Sequence, residues 1–344
     1  MSDFVNKVLT FAQKCVSEVP VVVLGSGASA AHGLPGMGAL ADHLVSSIQS
    51  ATLTPDEQGQ WAEFTRTLSA TDLETALTQV RVSEALTNRI VDLTWQLIVA
   101  ADKAVFDKAV AGSDQLTLTR LFQHLLASSR SEIDVVTTNY DRLAEYAADA
   151  GHLCCCTGFA HGYIRFRMAE NRLKFQQGTR QAKTVNVWKV HGSLDWFESS
   201  DGVPFGLPLF DGPPPEYRPL MVTPGVEKFR RTHNEPFRTV LSLTDQALSA
   251  ASACLCIGYG FNDEHIQPKL IERVQAGTMP LVVITKELTP KTRDVLLKGR
   301  CRNFALFEEA SGGGTKIYTP EQVDGVVEPG LNLWALPDFL DQVL

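Results

Sequence analysis

Apolar residues recur at three- and four-residue spacing from Asp3 to Val16, the period of an amphipathic helix, and then the period changes. At "PVVVLG" the chain sets Val21, Val22, Val23 and Leu24 in an unbroken run, which predicts a strand buried on both faces, as in a parallel sheet. The run stops at "GSGAS". Small side chains at a strand end let backbone N–H groups approach a ligand closely, so Gly25, Ser26, Gly27 and Ala28 read as a phosphate cradle.

Residues 38–128 keep helical spacing, as in "LETALTQVRVSEALTNRIVDLTWQLIVAADKAVFDKAV", with no alternating β-branched run; they predict a helical insertion. Strand–turn–helix order then returns. Ile133 to Thr137 reads as a strand, Asn139 as its turn, and a helix follows to Ala150. "TVNVWKVHGSLDW" reads as a strand ending at His191, "ACLCIGYGFND" as one ending near Gly258, and "PLVVIT" as one ending near Thr285. Residues 201–224, with Pro213, Pro214 and Pro215, read as an irregular loop, and "SGGGT" at Ser311 to Thr315 as a flexible surface turn. The expectation is one α/β domain, 1–344, with a Rossmann-like parallel sheet and a helical insertion at 38–128.

Composition narrows the function classes. The 344 residues carry a net charge of -8, which argues against a dominant nucleic-acid surface, although Lys228, Arg230 and Arg231 form a local basic patch. No run approaches the ~18 apolar residues that span a bilayer, and the first residues lack a secretory signal, so a cytoplasmic protein without membrane contact is expected. The seven cysteines include no C-x-x-C pair, so neither a disulfide framework nor a zinc ribbon is expected. Adjacent Cys154, Cys155 and Cys156 cannot converge on one tetrahedral metal, and Cys254 and Cys256 share one face of a strand. Both groups read as small buried hydrophobes.

Ligands of open parallel sheets collect beyond the carboxyl ends of the strands. Four strand ends here present polar sets: Gly25-Ser26-Gly27, Thr138-Asn139-Tyr140-Asp141, His191-Gly192-Ser193, and Gly258 to Asp263. Each has a plain structural reading. Asn139 or Asp141 can cap the helix that follows, His191 can serve only the fold, and Gly258 and Gly260 can be turn glycines. Their joint occurrence favours a site. An ordinary dinucleotide-binding dehydrogenase would place a carboxylate after a second strand about 20 residues past the glycines; that region reads "HLVSSIQSATL" with helical spacing.

The ordered set "GSGAS…GLP", "TTNYD", "HGS", "GYGFND" and "ITKE" resembles the Sir2 (sirtuin) superfamily, specifically its divergent bacterial Sir2-like branch of anti-phage defence. The resemblance implies an NAD-binding core, with Gly25, Ser26, Gly27 and Ala28 around the pyrophosphate and Asn139, Asp141 and His191 near the nicotinamide ribose. Within the family the equivalents of Asn139 and His191 are needed for NAD cleavage. Gly258, Asn262, Asp263 and Lys286-Glu287 would then lie near the adenosine half. The chain departs from protein-deacylating sirtuins in lacking their two C-x-x-C pairs, so a deacylase is disfavoured and no metal is expected. The expectation is an NAD+ hydrolase with NAD as substrate, depleting the nucleotide in defence; the alternatives are a deacylase, or a non-catalytic NAD or ADP-ribose sensor or scaffold. With no sensing module evident, the resemblance suggests a HerA-like ATPase or Argonaute-type partner, and the insertion suggests a homo-oligomer.

Overall fold

The computed structural model describes residues 2–112, 116–127, 129–168, 172–208, 212, 216–223, 234–263, 266–299 and 301–344. The basic patch Lys228, Arg230 and Arg231, and the prolines Pro213 to Pro215 and Pro224, lie outside the described residues.

Helix α1 (Asp3–Ser17) is capped by Ser2, whose hydroxyl accepts from the Val5 amide at 3.2 Å, and leads into β1 (Val21–Leu24). The strands that follow are β2 (Glu132–Thr137), β3 (Cys154–Cys156), β4 (Arg165–Phe166), β5 (Gln176–Gln177), β6 (Arg180–Gln181) and β7 (Thr184–Lys189). After them come β8 (Gly192–Glu198), β9 (Pro204–Gly206), β10 (Arg218–Met221), β11 (Cys254–Ile257), β12 (Leu281–Thr285), β13 (Phe304–Glu309), β14 (Thr315–Thr319) and β15 (Gln322–Glu328).

The main sheet runs β15-β14-β13-β12-β11-β1-β2-β7-β3. From β13 to β3 every pairing is parallel; β14 and β15 add an antiparallel ribbon at one edge. From β1 the chain builds outward through β2 to β7, then returns to the other side for β11 to β13. In open α/β sheets such a reversal marks the place where ligands collect, here beyond the carboxyl ends of β1 and β11.

The unbroken apolar runs are explained by burial on two faces. Val22, Leu24, Leu255, Ile257, Val282 and Ile284 join one core with α1 and the helix Leu336–Val343. Val21, Val23, Cys254, Cys256, Leu281 and Val283 join another with the helices Phe237–Ala250 and Gln267–Gln275. Successive residues of a strand point to opposite faces, so no position in the run can be polar without facing a core. Cys254 and Cys256 do share a face, with sulfurs 3.8 Å apart. Of the cysteine triplet only Cys156 is buried; Cys154 and Cys155 are half-buried because β3 is an edge strand.

Between β1 and β2 lie α2 (Ser26–Ala30), α3 (Met37–Ser47), α4 (Pro55–Ala70), α5 (Leu73–Gln79), α6 (Glu84–Val110) and α7 (Thr117–Leu125). They divide between two cores. Leu44, Trp61, Phe64, Leu77 and Leu86 pack together apart from the sheet, while Trp95, Val99 and Val105 of α6 and Leu121 and Phe122 of α7 join the core against it.

Two expectations are corrected. The strand through "TVNVWKVHGSLDW" ends at Lys189, Val190 and His191 turn, and β8 enters a separate antiparallel sheet, β10-β8-β9-β4. Gly192 makes the turn possible: its φ is +91°, and a Cβ there would stand 2.1 Å from the Leu220 carbonyl oxygen. Residues 201–224 are not wholly irregular, since β9 and β10 fall within them. "SGGGT" is a surface turn, as expected: it connects the β13–β14 hairpin, with Gly313 and Gly314 at positive φ.

Candidate functional site

The glycines after β1 and β11 are explained by backbone packing. A Cβ on Gly25 would come within 2.3 Å of the Gly258 carbonyl oxygen, one on Gly27 within 2.7 Å of the Gly258 Cα, and one on Gly258 within 2.3 Å of the Ala28 nitrogen. Gly258 also has a φ of +58°, where a side chain is strained. The Gly27 amide donates to the Gly258 carbonyl at 3.1 Å and the Ala28 amide to the Gly25 carbonyl at 3.0 Å. The Gly25 amide donates to the Ile257 carbonyl at 3.0 Å, so three of the cradle's four N–H groups are engaged within the protein, while Ser26 and Gly27 are exposed.

Asn139 follows β2 on the other side of β1. Its Nδ2 donates to the Gly25 carbonyl and to the Ser29 hydroxyl, each at 2.8 Å, and its own amide donates to Thr137 Oγ1 at 3.0 Å. These bonds fix the side-chain plane and leave Oδ1 without a hydrogen-bond partner among the described residues. Ser29 in turn donates to Asp141 Oδ2 at 2.7 Å, and Asp141 Oδ1 accepts from the Leu143 amide at the start of α8 (Leu143–Ala150). Asp141 is thus buried in the loop's foundation, where burial pushes its carboxyl up and Lys189 and Ser29 partly oppose this.

His191 joins the same edge. The Tyr140 hydroxyl donates to the Val222 carbonyl at 2.7 Å, and the Val222 amide donates to the His191 carbonyl at 2.9 Å. His191 Nε2 lies 2.8 Å from Asp263 Oδ2, with both side chains largely buried. Asp263 Oδ1 accepts from the Ile266 amide at 3.1 Å. The Gly258–Asp263 loop is pinned by Thr289 and Thr292, whose hydroxyls donate to the Gly260 carbonyl at 2.6 and 3.1 Å. Burial raises the Tyr140 and Tyr259 phenols, and the charges of Asp263 and of Glu74 on α5 raise them further. Asn262 is exposed, and Lys286 and Glu287 lie on an exposed turn.

Beneath these loops lies a buried set of charges. Lys189 is fully buried; its ammonium stands 3.1 Å from Glu145 Oε1 and donates to the Asp141 carbonyl. Burial works against that ammonium, but Glu145, Asp141 and Asp195 outweigh it and hold it above the usual lysine range. Burial raises the Glu145 carboxyl to about 7, with Lys189 opposing. For Asp195 burial is outweighed by Arg165 and Arg142, which hold it at about 2. Among the described residues no group of three His, Cys, Asp or Glu side chains could hold a metal ion, and no helix is long and apolar enough to cross a membrane.

The structure therefore brings Gly25, Gly27, Ala28, Asn139, Asp141, Gly258, His191 and Asp263 to one sheet edge. Ser29 is not singled out by the motif order, although it is the second serine of "GSGAS". Glu74 has no local signal, because only tertiary packing brings α5 here.

Residues 134–299 match a SIR2-like domain. The SIR2-like stretch begins inside β2 and holds three of the four strand-end loops; the Gly25–Ser29 loop precedes it. The mixed α/β architecture, with its large, mostly parallel sheet, is the Sir2-like fold expected from the motifs. Among solved structures, a Sir2 homolog–NAD complex is 14% identical, covering 88% of this chain and 87% of that one, at a TM-score of 0.41. A complex of a Sir2 homologue variant with ADP-ribose is 15% identical, covering 85% and 88%, at 0.44. Superpositions this loose carry no argument about the site. The comparison with curated proteins finds no match.

Proposed function

We propose that this chain is an NAD+ hydrolase whose site lies beyond the carboxyl ends of β1 and β11. The observation that carries the reading is that an amide and an imidazole meet the same strand ends: Asn139 is hydrogen-bonded to Gly25 and Ser29, and His191 stands 2.8 Å from the Asp263 carboxylate.

The chemistry suits these groups. When the bond between ribose C1′ and the nicotinamide nitrogen breaks, its electron pair neutralises the pyridinium, so the leaving group needs no acid. Charge develops on the ribose as in glycoside hydrolysis. Asn139 Oδ1 accepts from water or a ribose hydroxyl and orients it. Water oxygen bonds to C1′ and its proton passes to His191, acting as general base. The products are nicotinamide, ADP-ribose and one proton. Gly25, Ser26, Gly27, Ala28, Gly258 and Asn262 would line the pyrophosphate and adenosine side.

The motif resemblance extends the reading to bacterial anti-phage defence, in which NAD loss arrests growth and a partner such as a HerA-like ATPase or an Argonaute-type protein releases activity. Mass spectrometry of the products of NAD+ incubation, with and without an acetylated peptide, tests the reading. Peptide-independent nicotinamide and ADP-ribose are expected; O-acetyl-ADP-ribose formed only with peptide would replace hydrolase by deacylase.

A further inference from the structure

Asn139 lies on the loop after β2 and His191 in the turn after β7, and one residue of the first loop reaches both sides of the second turn. The Tyr140 carbonyl accepts from the Leu194 amide at 3.0 Å, just past His191 in β8. Its hydroxyl donates to the Val222 carbonyl at 2.7 Å, and the Val222 amide donates to the His191 carbonyl at 2.9 Å. We propose that Tyr140 is a positioning residue for the site, its hydroxyl holding the His191 backbone, through Val222, at a fixed place relative to Asn139.

The other ties between the loop and the turn come with the sheets. The Val190 amide donates to the Thr137 carbonyl at 3.1 Å where β2 and β7 end. Gly192 then diverts the chain, and β10 lies on it with Met221 opposite Gly192 in the ladder. Val222 is the next residue, past the end of β10 and buried. A buried carbonyl that loses its donor is costly, so Val222 would shift to recover one. The bond from its amide passes that shift to His191. The hydroxyl itself projects from a fixed base: the Tyr140 ring packs against the core that contains Leu194 and Met221, and the Lys189 ammonium donates to the carbonyl of the following residue, Asp141.

This role rests on the hydrolase reading for its effect on rate, but the strap is tested apart from it. Tyr140→Phe deletes the hydroxyl and keeps both the ring and the main-chain carbonyl. In native-state hydrogen exchange followed by NMR, the Val222 amide should exchange about 5- to 10-fold faster in the variant, the scale of one hydrogen bond. The Leu194 amide, whose acceptor is retained, should keep its wild-type rate. In NAD+ cleavage, with any activating partner present, the variant should lose kcat by about 10- to 10²-fold, the upper figure being the cost of a misplacement of about 1 Å, with KM unchanged. Thr315→Val is the reference for a buried hydroxyl lost far from the site: it removes a 2.6 Å bond to the Leu331 carbonyl, three strands beyond β11, and should keep the wild-type kcat. An unaltered Val222 exchange rate overturns the proposal, and so does equal acceleration at Leu194, which would mean a general loosening. A kcat equal to that of Thr315→Val overturns it as well, and a raised KM with kcat preserved would make Tyr140 a nucleotide contact instead. Should the wild type release no nicotinamide under any condition, the hydrolase reading fails and the exchange rates alone decide the strap.

Discussion

Asp102 on α6 holds Arg142 by three bonds: Oδ1 accepts the Arg142 amide at 2.7 Å, and Oδ2 accepts Nε at 3.0 Å and Nη2 at 2.6 Å. The Tyr146 hydroxyl donates to the same Oδ2 at 2.6 Å. A helix from the 38–128 region is thereby fastened next to the loop that carries Asn139. Because both partners are buried, removing the carboxylate takes from Arg142 the counter-charge that touches it and leaves Asp195 as the remaining one. Asp102→Ala is expected to lose about 3–5 kcal/mol in urea melts. A loss under about 1 kcal/mol, the scale of an exposed pair, would refute this account.

The two glycine loops predict a contrast between glycines. Gly277→Ala meets only backbone strain, since its φ is +69° and nothing lies within 4 Å of the new Cβ; a loss of about 1–2 kcal/mol is expected. Gly258→Ala meets similar strain and also collides with Gly27 and Ala28. It should unfold at clearly lower temperature than Gly277→Ala and bind NAD+ more weakly by calorimetry. Equal melting of the two variants would mean the loops move apart at little cost.

Glu145 predicts a pH dependence. Burial raises its folded-state carboxyl from the usual 4.5 to about 7, so between those values the folded state binds more protons than the unfolded one. Stability contributed by this group is therefore full below about 4.5 and is lost as pH rises through about 7. Glu145→Gln should flatten the fall in unfolding free energy over that window, by up to about 1.4 kcal/mol per pH unit. Parallel profiles for the two proteins would show that Lys189 keeps Glu145 ionised throughout.

Asn139→Ala and His191→Ala should each abolish nicotinamide release, measured with any activating partner present, while circular dichroism and melting stay near wild type. Both lie on loops beyond strand ends, where truncation removes little core packing. Wild-type rates in both variants would move the site elsewhere.

The sequence was most legible where burial leaves the residues little choice. β1, β2, β11 and β12 are visible as apolar runs because each faces two cores. The turn at His191 was hidden because apolar residues continue on both sides of it, and only the left-handed Gly192 diverts the chain into the second sheet. β15 reads "QVDGVVE", an edge strand with exposed valines, so no core imposes a pattern on it. In the candidate site, loop residues were recognisable by motif order, but their partners were not. That Asp263 meets His191, or that Asp141 rests on Ser29, depends on strands far apart in the chain being neighbours in the sheet.

The backbone contact between Gly25, Gly27 and Gly258 also limits how such a site can be redesigned. The two loops form a seam without side chains, so neither can acquire a Cβ unless the other retreats. In a library randomised across both, positions 25, 27 and 258 should return as glycine under selection for folding. Positions 26 and 262, whose side chains face solvent, should return as a broad mixture. Changes in nucleotide preference are therefore open to decoration around the seam, and the seam itself is closed to them.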